Sequence, residues 1–187
     1  MQGNRTVLTV VVLVVVIIAG WWLFRRGGGG ERIDLLERFP TADKRGVSGK
    51  TAEIVEVDLN GEKKRSIVIP PGGGNSSRLI WKVRMPDDAW LRVSLGMKPE
   101  AWDKEGDGVL FRVGVSDGRT YDELFTQHVN AFGNPAERRW IPVMVDLSAY
   151  AGEEVDLIFN TNSSPKDKGD DPRNDHALWG GPEVIVR

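Results

Sequence analysis

The feature of this sequence that most constrains its fold is an alternation of apolar and polar residues that recurs from about residue 51 to the C terminus. In the stretch WIPVMVDL, residues 140–147, every second residue from Ile141 is apolar, and EVDLIF, residues 154–159, repeats the pattern. Successive side chains of a β-strand point to opposite faces of a sheet, so each stretch can bury one face. Since no long helical pattern interrupts the series, the sequence predicts an all-β domain.

Turn signals separate the alternating stretches at a spacing of roughly ten residues. Asn60-Gly61 is the strongest short hairpin signal, and Pro86-Asp87-Asp88 and Asp117-Gly118 are tight turns. Eight or nine short strands at this spacing predict an antiparallel β-sandwich or barrel. The predicted strands are 51–58, 63–69, 78–85, 89–96, 109–116, 120–127, 140–147, 154–160 and 182–186.

The N terminus carries a different pattern, a long apolar segment. Thr6–Phe24 contains 19 residues without a charge, and at about 1.5 Å per residue a helix of that length spans a bilayer core. Trp21 and Trp22 favour the headgroup zone. A cleaved signal peptide is the alternative, but the tail IIAGWW does not match a small-residue cleavage site. We therefore predict an uncleaved membrane anchor.

The predicted organisation has three parts. Residues 1–30 form the anchor and a glycine tether, residues 31–50 an irregular linker segment, and residues 51–187 the β-sandwich domain. Within the linker, the stretch ERIDLLERF predicts either a short helix or a first edge strand.

Charge excludes one class of partner. Three of the 25 basic residues and none of the 27 acidic ones precede Gly27, so residues 27–187 have 22 basic and 27 acidic residues and a net charge of −5. A nucleic-acid-binding domain normally has a basic excess, so no nucleic-acid partner is expected. Arg5 before the anchor and Arg25 and Arg26 after it nearly balance, which if anything favours the domain inside.

Three stretches together resemble a known class of domain. They are DGVLFRVGVSDGRTYDELFTQHVN, RRWIPVMVDLSAYAGEEVDLIFNT and ALWGGPEVIV. They resemble the jelly-roll domains similar to carbohydrate-binding modules and galactose-binding-like domains of bacterial membrane proteins. The resemblance covers roughly residues 78–187 and implies a jelly-roll β-sandwich, often with a structural calcium ion and often with glycan binding. By analogy with such domains, we expect the domain to be extracytoplasmic.

Two acidic loops are candidates for the calcium site. In DKEGDG, residues 103–108, carboxylates alternate before a glycine, as in the first half of a calcium loop. An EF-hand is excluded because its twelfth position would be Gly114. The second loop is DKGDDPRNDH, residues 167–176. The candidate calcium ligands are Asp103, Glu105, Asp107, Asp170, Asp171 and Asp175; solvated surface loops are the alternative.

Counting connections predicts where a ligand would bind. Loops of an antiparallel sandwich alternate between its two ends, and all four long loops fall at one end. Trp102 in one of them is the best candidate for an exposed ring, because aromatic rings stack on sugars, although core packing is the default for tryptophan. The candidate ligand-binding residues at this end are Trp102, His128, Asn130, Asn134 and His176.

No catalytic site can be assembled from the sequence. The two histidines are isolated, cysteine is absent, and no nucleophile, base and orienting group occur at a recognisable spacing. The sequence therefore predicts a membrane-anchored, extracytoplasmic binding module without enzymatic activity, with a glycan or another envelope component as its ligand. A structural or accessory protein that binds a protein partner through the sandwich is the alternative.

Overall fold

The alternating stretches form two antiparallel sheets packed face to face. The computed structural model describes residues 32–46, 52–69, 76–163 and 173–187. Within these residues there are eleven strands: β1 (Arg32–Asp34), β2 (Asp43–Arg45), β3 (Glu53–Leu59), β4 (Glu62–Val68), β5 (Ser77–Arg84), β6 (Ala89–Met97), β7 (Val109–Ser116), β8 (Tyr121–Val129), β9 (Ile141–Asp146), β10 (Glu154–Asn162) and β11 (Ala177–Val186). One sheet has the order β3-β4-β11-β6-β9, with β1 also paired to β11, and the other has the order β2-β5-β10-β7-β8.

The predicted all-β antiparallel sandwich is confirmed, with more strands than the sequence indicated. All nine predicted strands form. Within residues 32–46, the segment predicted as an irregular linker contributes β1, in line with the edge-strand alternative for ERIDLLERF, and β2. Leu35 and Leu36 between them are buried in the core. Strands of three residues are too short to show a period of two.

The last strand also starts earlier than predicted. β11 begins at Ala177, and the predicted start was residue 182. The register with β6 shifts between Gly180 and Glu183, which breaks the alternation that the sequence pattern relies on.

Aromatic rings fill the space between the sheets. Trp179 lies in the core, as predicted, and its ring centroid is 4.5 Å from that of Phe159 and 5.0 Å from that of Phe111. Its indole N–H donates to the hydroxyl of Thr161 at 3.1 Å, so the polar edge of this buried ring is satisfied.

The outer face of the six-stranded sheet has a hydrophobic cover. Trp140 packs over Gly96 and Gly180 and forms a small cluster with Leu59, Val68 and Leu178. Its indole N–H donates to the carbonyl of Glu62 at 2.8 Å, which ties the β3–β4 hairpin to this face. The sheet is therefore apolar on both sides at this point.

Strand directions place the ends of the long connections together. β6 ends at Met97 opposite Ala177, where β11 begins, and β7 begins at Val109 opposite Val129, where β8 ends. We call this end of the sandwich the long-loop end.

The predicted anchor Thr6–Phe24 lies outside the described residues, so anchoring stays a prediction. Among the residues that the structure describes, no helix is long and apolar enough to cross a membrane.

Candidate functional site

Three of the long connections contact one another at the long-loop end. The side-chain amide of Asn174 donates to the carbonyl of Glu105 at 2.9 Å, and that of Asn130 donates to the carbonyl of Gly106 at 3.3 Å. The backbone N–H of Lys98 donates to the carbonyl of His176 at 3.0 Å. These bonds bring the segments 98–108, 130–140 and 173–176 side by side.

Arg138 joins two of these segments. Its guanidinium donates to the carbonyls of Ala131 at 3.0 Å and Trp102 at 2.6 Å, and it lies 3.2 Å from the carboxylate of Asp103. The Asp103 side chain is 89% exposed, so this predicted calcium ligand instead pairs with a cation at the surface. The arginine fixes the positions of both backbones.

The predicted residues Asn130 and Asn134 shape a turn. The backbone N–H of Gly133 donates to the Asn130 side-chain oxygen at 2.9 Å, and the N–H of Asn134 donates to the Asn130 carbonyl at 2.8 Å. Asn134 caps the following 3-10 turn by accepting from the N–H of Ala136 at 3.2 Å. Both amides are therefore engaged by the loop.

The turn presents an aromatic ring that sequence reasoning missed. Phe132, at its tip, is 43% exposed. A single phenylalanine between Ala131 and Gly133 has no periodic pattern around it, so no sequence signal marked it.

Trp102 is not the exposed ring that the sequence predicted. It is only partly exposed, its indole N–H donates to the carbonyl of Met97 at 3.0 Å, and it packs against both hydrophobic clusters. A tryptophan in a loop can complete a core as readily as one in a strand, which is why its position in the sequence misled the prediction. Its role as a ligand contact stays a prediction.

The two histidines have separate surroundings. The ring of His128 forms a 2.7 Å hydrogen bond through Nε2 with the carbonyl of Asp107, at the start of β7. His176 precedes β11, and its backbone N–H donates to the carbonyl of Asn174 at 2.9 Å. Across the described ranges, no three His, Asp or Glu side chains form a group suited to a metal ion.

Among the predicted acidic ligands, two have buried carboxylate atoms or a buried side chain. Asp175 is buried, and both carboxylate oxygens of Asp107 are buried and accept no hydrogen bond from the described residues. Carboxylates of this kind fit a hard cation such as calcium. Glu105 is exposed and contributes a backbone carbonyl to the loop contact, and Asp170 and Asp171 lie outside the described residues.

A second exposed ring lies on the outer face of the five-stranded sheet. Tyr121 begins β8 and is 44% exposed. It rests against Gly114 of β7, where a Cβ would lie 2.5 Å from the ring atoms Cε2 and Cζ. Burial raises the pKa of the Tyr121 phenol and the charge of Glu123 raises it further, while Arg112, Arg78 and a hydrogen bond from the Asn160 side chain act in the opposite direction.

The chain was compared with protein families and with known proteins. No family model matches the chain. The chain is similar to an uncharacterized protein of Archaeoglobus fulgidus, with 38% identity over 117 residues, which is 62% of this chain and 29% of that protein. It thus spans less than a third of that relative's length.

Solved structures give a clearer likeness. A family 51 carbohydrate-binding module from Clostridium perfringens GH95, in complex with methyl-galactose, has a TM-score of 0.55 at 16% identity and covers 83% of this chain and 100% of that one. The second such module and INT domains of Clostridium perfringens ZmpB have a TM-score of 0.56 at 13% identity, covering 84% of this chain and 32% of that one. The resemblance to jelly-roll carbohydrate-binding modules is confirmed as a likeness of fold.

Proposed function

We propose that this protein is a non-catalytic module that binds a saccharide at its long-loop end. The observation that carries the proposal is Phe132, an exposed aromatic ring on a turn whose backbone donates a hydrogen bond to Asn130 and accepts one from Arg138. A partly exposed ring in a rigid turn offers an apolar face to a pyranose at little cost in conformational entropy.

The comparisons support the same ligand class. The structure of the similar GH95 module contains methyl-galactose, and another structure of the similar ZmpB module, with a TM-score of 0.53, contains GlcNAc. We extend saccharide binding to this chain on the basis of its fold together with Phe132.

The distribution of exposed apolar side chains favours a saccharide over a protein partner. In the described part of the chain the large exposed ones are Tyr121, Phe132 and Met144. Tyr121 and Phe132 lie at opposite ends of β8, and Met144 lies on β9 of the other sheet. Docking of a protein normally requires a contiguous apolar patch, which these three do not form.

The proposal also covers the location of the domain and a bound calcium ion. Thr6–Phe24 would anchor the module to a membrane with the domain outside, where envelope glycans are accessible. Asp107 and Asp175 would hold a structural calcium ion that fixes the segments 98–108 and 173–176. Calcium would then raise the melting temperature of the chain, whereas a chelator would lower it.

A glycan array probed with the full chain tests the function. We expect the wild-type chain to retain a defined set of saccharides and Phe132→Ala to lose them with an unchanged melting temperature. Met144→Ala removes a similarly exposed apolar side chain from another face and serves as the matched control, with binding unchanged. If the wild-type chain binds no saccharide with or without calcium, the proposal is wrong, and the accessory role with a protein partner becomes the better hypothesis.

A further inference from the structure

The outer face of the five-stranded sheet has an unusual polar centre. Asn160 of β10 lies directly opposite Arg78 of β5 on one side and Arg112 of β7 on the other. Such pairs lie about 5 Å apart between Cα atoms. Because Phe159 and Thr161 point into the core, Asn160 points outward together with the two arginines.

Polar atoms at this centre lack partners among the residues that the structure describes. Asn160 is only 6% exposed, yet its side-chain oxygen accepts no hydrogen bond from the described residues. The Nε of Arg112 and the side-chain oxygen of Asn162 are likewise buried without a partner. A buried polar group left unsatisfied costs about 1–3 kcal/mol, so three on one face favour a further partner beyond the described residues.

The charge at this centre is positive. Arg112 faces Glu123 at 3.6 Å, a long ion pair that leaves its Nε unused. Arg78 donates through Nε to the hydroxyl of Ser76 at 3.2 Å and forms no ion pair with a described residue. The next arginine along the row, Arg45, is paired to Asp43 at 2.7 Å. One guanidinium therefore remains uncompensated beside Asn160.

An aromatic ring borders the same centre. Tyr121 rests on Gly114, and the Asn160 side chain is close enough to the phenol to act on its pKa, so ring and amide lie on one surface. Gly114 does not have the left-handed conformation that favours glycine, so its missing side chain is explained by the ring and not by the backbone.

We propose that this face is a second ligand site, which binds an acidic saccharide such as a uronic acid. The sugar ring would stack on Tyr121, its carboxylate would pair with Arg78 and Arg112, and its hydroxyls would bond to Asn160. We call this surface, formed by Tyr121, Asn160, Arg78 and Arg112, the sheet-face site. It goes beyond the proposed long-loop site, from which Tyr121 is separated by the length of β8, about 27 Å.

The ligand class follows from the combination of groups. Only a molecule with an apolar ring face, hydroxyls that both donate and accept, and a negative charge meets all of these groups together. A guanidinium is the side chain best suited to a carboxylate. The unpartnered atoms lie just below the surface, so binding requires neighbouring exposed side chains to change rotamer, which occurs within nanoseconds.

Calorimetric titration of the full chain with digalacturonate and with galactose tests the site. We expect digalacturonate to bind and Tyr121→Ala or Asn160→Ala to weaken it by roughly tenfold or more. Arg78→Gln should weaken digalacturonate by a similar factor and leave galactose unchanged. Gly114→Val, which forces the ring from its place, should match Tyr121→Ala, and melting curves of each variant verify the fold.

Other outcomes separate this proposal from the previous one. If Phe132→Ala abolishes digalacturonate binding while Tyr121→Ala and Asn160→Ala leave it intact, the acidic sugar binds at the long-loop end, and the sheet-face site is wrong while the proposed function stands. If galactose binds and digalacturonate does not, the sheet-face site is again wrong, and ordered water is the partner of its buried polar atoms. If the sheet-face variants lose digalacturonate and Phe132→Ala does not affect any saccharide, the long-loop proposal fails alone.

Discussion

On the outer face of each sheet an aromatic ring packs over a glycine, but the two rings differ in their exposure to solvent. On the six-stranded sheet, Trp140 packs over Gly96 and Gly180 and is only 3% exposed. On the five-stranded sheet, Tyr121 packs over Gly114 and is 44% exposed. In both cases a glycine allows an aromatic ring to approach the backbone of the sheet.

The difference lies in what surrounds each ring. The β3–β4 hairpin covers Trp140 and its indole N–H is bonded to Glu62, so that ring stabilises the fold. Tyr121 borders polar atoms that have no partner among the described residues, and we propose that this ring contacts a ligand. Whether an aromatic ring over a glycine serves stability or ligand binding therefore depends on which residues cover the ring and which polar atoms lie beside it.

The largest expected effect is a difference in the free energy of unfolding between variants that lack Trp140 and variants that lack Tyr121. Trp140→Ala should lower the free energy of unfolding by about 3–5 kcal/mol, the usual cost of removing a buried tryptophan. Tyr121→Ala, at a half-exposed position, should cost about 1 kcal/mol or less. Urea denaturation of both variants measures the difference. Equal losses of unfolding free energy would mean that Tyr121 also stabilises the fold, and would contradict the proposed difference between the two rings.

Substitutions of the glycines beneath the two rings provide a second comparison of stability. A Cβ at Gly180 would lie 2.7 Å from Cζ3 of Trp140, which has no room to move, so Gly180→Ala should cost roughly 1–3 kcal/mol through overpacking. Gly114→Ala brings a similar clash with Tyr121, but the exposed ring can turn outward and the cost should be below about 1 kcal/mol. Thermal melting compares the two, and a larger loss for Gly114→Ala would contradict the account.

The ionisation of Tyr121 gives a smaller effect with a definite sign. The chain has two tyrosines, so in Tyr150→Phe the ultraviolet phenolate signal reports Tyr121 alone. Its pKa should exceed the ordinary value of 10.0, because burial and Glu123 oppose ionisation. Glu123→Gln should lower this pKa, whereas Arg78→Gln should raise it further.

The raised pKa of Tyr121 determines the direction in which folding stability changes with pH. A raised pKa in the folded state means that stability is full below the unfolded value and falls as the pH rises from about 10 through the raised value. A titration in which Glu123→Gln raised the pKa, or left it unchanged, would contradict the arrangement of charges around the ring.

The smallest expected effect concerns the turn before Tyr121. Backbone N–H groups of Thr120 and Arg119 donate to the Asp117 carboxylate and lower its pKa from 3.8. A lowered pKa gives stability that is present above the unfolded value and lost as the pH falls through the folded one. Melting temperatures of Asp117→Ala and wild type should therefore differ slightly at neutral pH and converge in acid. A constant difference would show that the carboxylate charge is not involved.

Much of the fold was readable from the sequence, because burial of one sheet face imposes a period of two. That period located all nine long strands, and Trp179 was placed correctly in the core. β1 was predicted only as one of two alternatives for ERIDLLERF, and β2 was missed, since three residues are too few to show that period. The start of β11 was predicted too late because the register with β6 shifts after Gly180.

The candidate sites were harder to predict. The described parts of three long loops converge at one end, in line with strand counting, but Asn130 and Asn134 are engaged in shaping a turn, and Trp102 in packing. Composition cannot tell a side chain that builds a loop from one that faces a ligand. Phe132 and Tyr121 were missed because their exposure depends on tertiary neighbours, which no local pattern encodes.

The central claim, that exposed rings of this sandwich bind saccharides, is tested most directly by one glycan-array experiment. The full wild-type chain is compared with the double variant Phe132→Ala/Tyr121→Ala, both verified as folded by thermal melting. The account predicts that the wild-type chain is retained on a defined set of neutral and acidic saccharides and that the double variant loses all of them. Retention of the double variant on the same saccharides, or no retention of the wild-type chain, would contradict it.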